Sequence, residues 1–512
     1  MADENNDQTN TAPTKELSLW KVYGICLLIS TIFFFLFGFN SPIYKFNSDP
    51  DYNIHVTMGN ALIHGKVPYR DLFDHKGPLV YFLYGFCCLF PTPRLAMLLI
   101  EIFCMSLFFF FAFRIARKFL NTFCSLLIIP ILAFIVFPSW NRVTNASCIE
   151  EFCLPMLTYF LYCWIEFILE KKQWTWTRSL IIGICIGIIF WSKFTILSFM
   201  IVPMIIWAIK NIYNRQYYIF YNILFIAIGL IIISMPIILF YGLQNALGVL
   251  FKVYLGTNIT GYGINTNRNV IEYFKSFFDY NPFVIFLISY GLTRFVLMHC
   301  NSNKKPIVFS FLSTFIMLIF TAHHNNYYFN TLIPYTIFGV IIILEFFNSK
   351  IDLTKKLLKK YFLLLFCCIL ACLPISILPL ELNRNQDEYK ALEIAKVIKE
   401  ELPKSNITIF CYEIPDLGIY SALNIMPNNY FFVKNNFSEI QLPEMYKSFE
   451  NSIRTQTSDF IITTVLNWEK EKNFISQYYK PLTGYIKSSS FEYLKLHYFY
   501  YLHYHLIILK KI

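Results

Sequence analysis

Charge is scarce in this chain. Only 15% of its 512 residues are Asp, Glu, Lys or Arg, against about 25% in a soluble domain. With 56% hydrophobic and 19% aromatic residues, neither a soluble fold of this length nor a disordered one fits. Glycine and proline are too few, at 18 and 22, for a collagen-like or low-complexity chain. A disulfide scaffold is also excluded. Thirteen of the fourteen cysteines precede residue 383 and sit mostly in apolar runs, where they read as small hydrophobes. Beyond that point only Cys411 remains, so no disulfide holds the tail. Cys148 and Cys153 flank one membrane edge, close enough in sequence for a bridge that nothing else supports. No internal repeat is visible, and no small-residue cleavage site follows the first apolar run. The remaining class is an α-helical polytopic membrane protein, in keeping with a mean hydropathy of +0.49.

Apolar runs fall near 19–39, 94–113, 121–137, 152–169, 179–191, 194–209, 219–241, 282–298, 307–321, 327–347 and 361–380. That predicts about 11 transmembrane helices, several short of the ~20 residues that cross a bilayer and therefore broken or tilted. The run 78–90 is too short to cross and is closed by Pro91-Thr92-Pro93; it reads as a re-entrant or interfacial segment.

The basic residues set the orientation. Residues 1–382 hold 28 Lys and Arg against 18 Asp and Glu, whereas 383–512 hold 15 against 14. With the N-terminus inside, Arg114/Arg117/Lys118, Lys171/Lys172/Arg178, Lys210/Arg215, Lys304/Lys305 and Lys350–Lys360 are all cytoplasmic. Arg142 and Lys193 are then the only basic residues in the short outer loops. Three domains follow: a polar, disordered cytoplasmic N-terminus (1–18), a transmembrane part (19–380) with a long outer loop at 40–77, and a small α/β extracytoplasmic domain (381–512). In the last, Tyr389–Leu402 reads as an amphipathic helix and Thr408–Tyr412, Tyr430–Val433 and Asp459–Thr464 as strands. It lacks a Gly-rich phosphate loop and a metal-ligand cluster, so no chemistry is assigned to it. The sequons at Asn145, Asn258, Asn406 and Asn436 face outward in this topology.

The first outer loop concentrates the polar chemistry. Asp49-Pro50 is a helix start, with Asp as N-cap and Pro in the first turn. Ile54, Met58, Ala61 and Leu62 form a stripe that would lay this helix on the membrane surface, and Gly65 ends it. Asp51 is either a dipole partner or a base or ligand at the cavity mouth; Asp49 has its cap to explain it. Lys76 precedes Pro78 and the amides of a short helix, an arrangement that suits an anion, although a snorkelling lysine would look the same.

Taken together, Asp51, Gly65, Pro68-Tyr69-Arg70-Asp71-Leu72-Phe73 and Lys76-Gly77-Pro78-Leu79 resemble the first outer loop of GT-C fold glycosyltransferases. The branch concerned is that of bacterial relatives of the dolichyl-phosphate-mannose:protein mannosyltransferases and aminoarabinose transferases. The resemblance implies transfer of a sugar from a polyprenyl-phosphate carrier on the outer face of the plasma membrane to an envelope glycan, lipid or protein, with inversion. It implies Asp51 as catalytic base or organiser, with Asp49 a close second, and Lys76 on the carrier phosphate, with Tyr69 and Arg70 in the same substrate-binding loop. Glu150 and Glu151 fall at the family's second acidic position; they are adjacent glutamates and not Asp-x-Asp, which leaves a divalent metal open. Lys193 resembles a cavity-lining lysine, and His323 and His324 are further candidates for phosphate or sugar. Glu101, ionisable within a span, is a functional or pairing residue. The rival reading is a transporter or flippase of a lipid-linked saccharide, which predicts paired halves that the sequence lacks; an envelope assembly protein would leave the polar loop unexplained. Nothing points to nucleic acid.

Overall fold

A computed structural model describes residues 17–47, 49–136, 148–263, 282–300, 304–321, 326–350, 390–403, 406–482 and 506–512. Among these, six helical stretches are long and apolar enough to cross a membrane: Leu19–Phe37 (α1), Pro93–Ala116 (α4), Ile149–Leu169 (α6), Trp176–Tyr213, Ile219–Leu243 (α9) and Tyr328–Ser349. Shorter apolar helices are Pro78–Cys88 (α3), Thr122–Ile135 within α5 (Thr122–Val136), Val284–His299 and Lys305–Leu318. The expected crossing at 361–380 lies outside the described residues. At 11 residues, α3 is about 16 Å long, half a hydrocarbon core.

The 38-residue stretch Trp176–Tyr213 folds back on itself. Lys193 adopts extended backbone angles that end α7 (Trp176–Lys193), and a short 3-10 turn leads into α8 (Ser198–Tyr213). Trp207 of α8 stacks on Trp174, just before α7, with ring centroids 4.5 Å apart, so α8 returns to the level where α7 began. The Tyr218 hydroxyl donates to the Trp174 carbonyl at 2.6 Å, which starts α9 from that level too. Thus α7 and α9 run parallel, and the sequence reading's two short spans there are the two legs of one bent stretch.

Two sets of ion pairs clamp α6 to α7. At one end Glu150 meets Lys193. At the other, roughly 24 Å along α6, Glu166 meets Arg178 (2.6 Å) and Lys118 (2.7 Å), and Glu170 meets Lys118 and Lys172. One apolar core runs through the helices; a second joins the first loop, Trp191, Tyr241 and Tyr254 to the C-terminal residues.

Those C-terminal residues form a four-stranded sheet of order β1-β2-β4-β3, with β1 (Ile409–Cys411), β2 (Phe460–Thr464), β3 (Tyr479–Pro481) and β4 (Leu506–Lys511). β1 pairs parallel with β2; the other pairings are antiparallel. Helices Lys390–Glu401, Pro443–Arg454 and Val465–Ile475 accompany it. Two local expectations fail. Tyr430–Val433 is irregular, because Tyr430 and Phe431 pack their rings on Phe73 instead of alternating across a sheet. The helix Pro50–Ile63 (α2) is not a half-exposed surface helix: Asn53, His55 and Thr57 on its polar side are as buried as Ile54 and Met58.

Helix approach in the bundle depends on glycine. A methyl on Gly229 of α9 would sit 2.3 Å from the Leu180 carbonyl oxygen and 2.7 Å from the Ile184 nitrogen, whereas one on Gly24 meets nothing within 4 Å. Close helix contact in a membrane uses such small residues. Gly229→Ala should therefore destabilise the protein by roughly 1–3 kcal/mol through overpacking, seen as a lower melting temperature in detergent, and Gly24→Ala should leave melting unchanged.

Candidate active site

The end of the bundle that carries Lys193 is capped by the first loop. Asp49 is the N-cap of α2, its carboxylate accepting from the Tyr52 amide at 2.9 Å, as Asp-Pro predicts. Asp51, in the first turn, looks the other way electrostatically. Burial pushes its carboxyl up, but Lys76, His55 and Lys193 outweigh burial and Asp74 together, and its pKa is lowered. The loop thus places Asp51 beside both lysines that the sequence singled out.

Asp74 binds this cluster together. It accepts from the Tyr81 hydroxyl (2.8 Å) and from Asn435 of the C-terminal region (2.8 Å), and lies 3.3 Å from His75 Nδ1. Burial works against its charge, but His75, His55 and Lys76 hold its pKa well below the usual carboxylate range. His75 is shifted down because burial outweighs Asp74. Burial also takes His55, one helical turn after Asp51, to about 4 despite Asp74 and Asp51. Both histidines are thus neutral at pH 7.

Lys76 is held from behind. Tyr69 has a positive φ of 69°, an uncommon conformation for a bulky side chain. That turn sends its hydroxyl to the Lys76 carbonyl at 2.5 Å, where Tyr81 also donates at 3.2 Å. Asn258 donates to the His75 carbonyl and to the Tyr254 carbonyl, each at 2.7 Å, so this asparagine is built into the fold. Gly77 permits the next contact: its amide donates to the Ser192 carbonyl at 3.0 Å, and a methyl there would lie 2.0 Å from the Trp191 oxygen. Loop and α7 terminus meet backbone to backbone, which brings Lys76 and Lys193 to one place.

The other candidates divide. Lys193 pairs with Glu150 and lies 3.5 Å above the Tyr328 ring. Glu151 is not part of that pair and has Glu101 as its charged neighbour, which accepts from Asn40 at 3.0 Å; both Glu151 oxygens are buried without a hydrogen-bond partner among the described residues. Tyr69 is fully buried behind Lys76. Arg70 stays at the surface, bound to Asp71 and the Gln244 carbonyl at 3.0 Å, and is not brought into the cluster. His323 and His324 lie outside the described residues. Cys148 and Cys153 are both free and buried. Among the described residues no group of three or more His, Cys, Asp or Glu side chains is placed to hold a metal.

Sequence reasoning passed over Asp74, His55, Asn435 and Asp416. Asp74 and His75 stand directly before Lys76, and that adjacency was the available signal. Asn435 and Asp416 gave none, since their partners are some 360 residues away.

Residues 75–239 match the family model of dolichyl-phosphate-mannose-protein mannosyltransferase, a segment holding Lys76, Glu150 and Lys193. Among solved structures, the chain is similar to ArnT from Cupriavidus metallidurans bound to undecaprenyl phosphate, with a TM-score of 0.63 and 9% identity over 96% of this chain and 97% of that one. The apo state of that protein aligns at 0.59 with 10% identity over the same shares. The chain has the GT-C fold. At such identity the likeness is one of architecture. No curated protein matches the chain.

The first loop is roofed by the C-terminal region. The Thr57 hydroxyl donates to Asp416 at 2.9 Å, and the Gly418 amide donates to its other oxygen at 2.8 Å. Gly418, at φ 92°, lies so close to Phe46 that a methyl there would be 2.4 Å from the ring. Phe73 donates its amide to the Tyr430 carbonyl at 2.8 Å, and Tyr430 donates its hydroxyl to the Tyr69 carbonyl at 2.8 Å.

Burial raises the Asp416 pKa to about 6, against hydrogen bonds from Gly418 and Thr57 that lower it. The folded state then binds more protons here than the unfolded chain between about pH 4 and 6, so this group's contribution is full at low pH and is lost as pH rises through that window. Asp416→Asn should flatten the fall in melting temperature between pH 4 and 6. An unaltered pH profile would mean that Asp416 does not titrate there.

Proposed function

We propose that this protein is a membrane glycosyltransferase that moves a sugar from a polyprenyl-phosphate carrier to an acceptor on the outer face of the plasma membrane, with inversion. The observation that carries this reading is the convergence of Asp51, Lys76 and Lys193 at the end of the bundle opposite Lys118, Lys172 and Arg178. By the charge rule for membrane proteins, that basic end is cytoplasmic, the cluster faces outward, and the C-terminal sheet and helices over it are extracytoplasmic. The GT-C fold and the match at 75–239 support the same reaction class. ArnT's structure with undecaprenyl phosphate supports a polyprenyl-phosphate carrier here.

In this scheme the acceptor hydroxyl gives its proton to Asp51 as its oxygen attacks the anomeric carbon. The bond from that carbon to the phosphate oxygen breaks, and the carrier phosphate leaves with the electron pair. A phosphate needs no proton to leave, so one base and positive charge are enough. Lys76 stabilises the departing phosphate, with the positive end of the α3 dipole beside it. Lys193, paired with Glu150, adds field more than charge. Asp51 is a weak base before substrate binds, its carboxylate held down by the lysines; it takes the proton late, when bonding to the anomeric carbon has made the hydroxyl acidic.

Asp51→Asn should lower transfer by ~10²–10⁴-fold in purified protein while Asp49→Asn, which keeps the cap, stays near wild type. The opposite order would move the base to Asp49. Lys76→Ala should cost about ten- to a hundredfold in the dependence of rate on polyprenyl-phosphate sugar, with Lys76→Arg recovering part. An unchanged donor dependence in Lys76→Ala would remove the phosphate site.

A further inference from the structure

We propose that His55 contacts the sugar of the donor, its two ring nitrogens hydrogen-bonding to sugar hydroxyls next to Asp51. This rests on the glycosyl-transfer reading above and adds to it a recognition residue. His55 is buried, and among the described residues neither Nδ1 nor Nε2 has a hydrogen-bond partner. Buried polar atoms are nearly always paired, and exceptions call for an explanation. Here both nitrogens of one ring are exceptions, in the cluster that holds Asp51, Asp74 and Lys76.

The ring's surroundings fix its place. It lies edge-on to Tyr84, with centroids 5.1 Å apart, and tilted against Tyr81 at 6.4 Å. Tyr81 is the residue that donates to Asp74 and to the Lys76 carbonyl. Asp51 is four residues earlier on α2, on the same face of the helix. His55 therefore sits beside the base, against the α3 tyrosines, one of which anchors the loop that carries the phosphate lysine.

The chemistry of the ring selects the ligand. A neutral imidazole offers one N–H donor and one lone-pair acceptor, on opposite sides. A phosphate only accepts, so it would satisfy the N–H and leave the other nitrogen bare. Hydroxyls both donate and accept, and a polyhydroxylated group satisfies both nitrogens. A phenylalanine would fill the same slot between the tyrosines without orphaned atoms. Keeping a histidine there costs stability in the empty protein, as residues kept for binding often do.

The test uses the full chain in phospholipid nanodiscs. Undecaprenyl phosphate and a panel of hexosyl and pentosyl undecaprenyl phosphates are titrated into wild type, His55→Phe and His55→Gln, and each unliganded protein is melted. In wild type, one or more sugars should tighten binding relative to the bare carrier. His55→Phe should lose about tenfold of that gain, bind the bare carrier as wild type does, and melt higher than wild type. His55→Gln should keep part of the gain. The assignment is overturned if His55→Phe binds the sugar-linked lipid as wild type does, if no attached sugar tightens wild-type binding, or if His55→Phe melts lower and weakens both lipids alike, as loss of a structural water would cause. Wild type that binds none of these lipids would instead overturn the glycosyl-transfer reading itself, and this assignment with it.

Discussion

A carboxylate buried at the end of a helix bundle must be met on every side, and Asp74 shows what that demands. Tyr81 reaches it from α3, Asn435 from the C-terminal region and His75 from its own loop. Each partner belongs to a different part of the chain, so satisfying this one charge fixes the loop against the helix and the roof. Leaving such a group unpaired is far more costly than making the contacts is favourable. Lys76 and Asp51 inherit their positions from that arrangement, and so does the low charge state of the two histidines around them.

The bundle contributes a second constraint. Lys193 ends α7 in an extended conformation, and the chain turns back at once. A lysine at that break can reach Glu150 and the Tyr328 ring, and its neighbour's carbonyl accepts from Gly77. The glycines of α7 and α9 bring the two parallel helices close enough to present this break at one level. Rigid packing in the bundle thus sets the spacing between lysines in segments more than a hundred residues apart.

Stability and readiness for a ligand pull against each other in the loop. Tyr69 holds a strained backbone, and among the described residues both His55 ring nitrogens lack a hydrogen-bond partner. Strain and unsatisfied polarity persist only where the surroundings over-determine them. Here the surroundings are the shared core of loop, helix ends and C-terminal residues, which makes the C-terminal region part of the site's construction.

The sequence by itself determined the class of the protein, because a chain so apolar cannot be satisfied in water. It also determined the helix start at Asp49-Pro50, the helix at 390–401 and the strands near 409 and 460, all of which follow from local capping and periodicity. The loop motif marked Asp51 and Lys76 through the residues around them. Tertiary structure decided the rest. It buried both faces of α2, where periodicity predicted one, because the roof supplies polar partners such as Asp416 that no local pattern can announce. It left Tyr430–Val433 irregular, since aromatic rings seated on Phe73 hold that segment better than a ladder would. It separated Glu150 from Glu151, giving one a lysine and the other a carboxylate, although adjacent residues in a sequence look equivalent. Local bonds depend on neighbours a few residues away and are legible in order; the electrostatics of a buried site sum over groups hundreds of residues apart and exist only once the chain has closed around them.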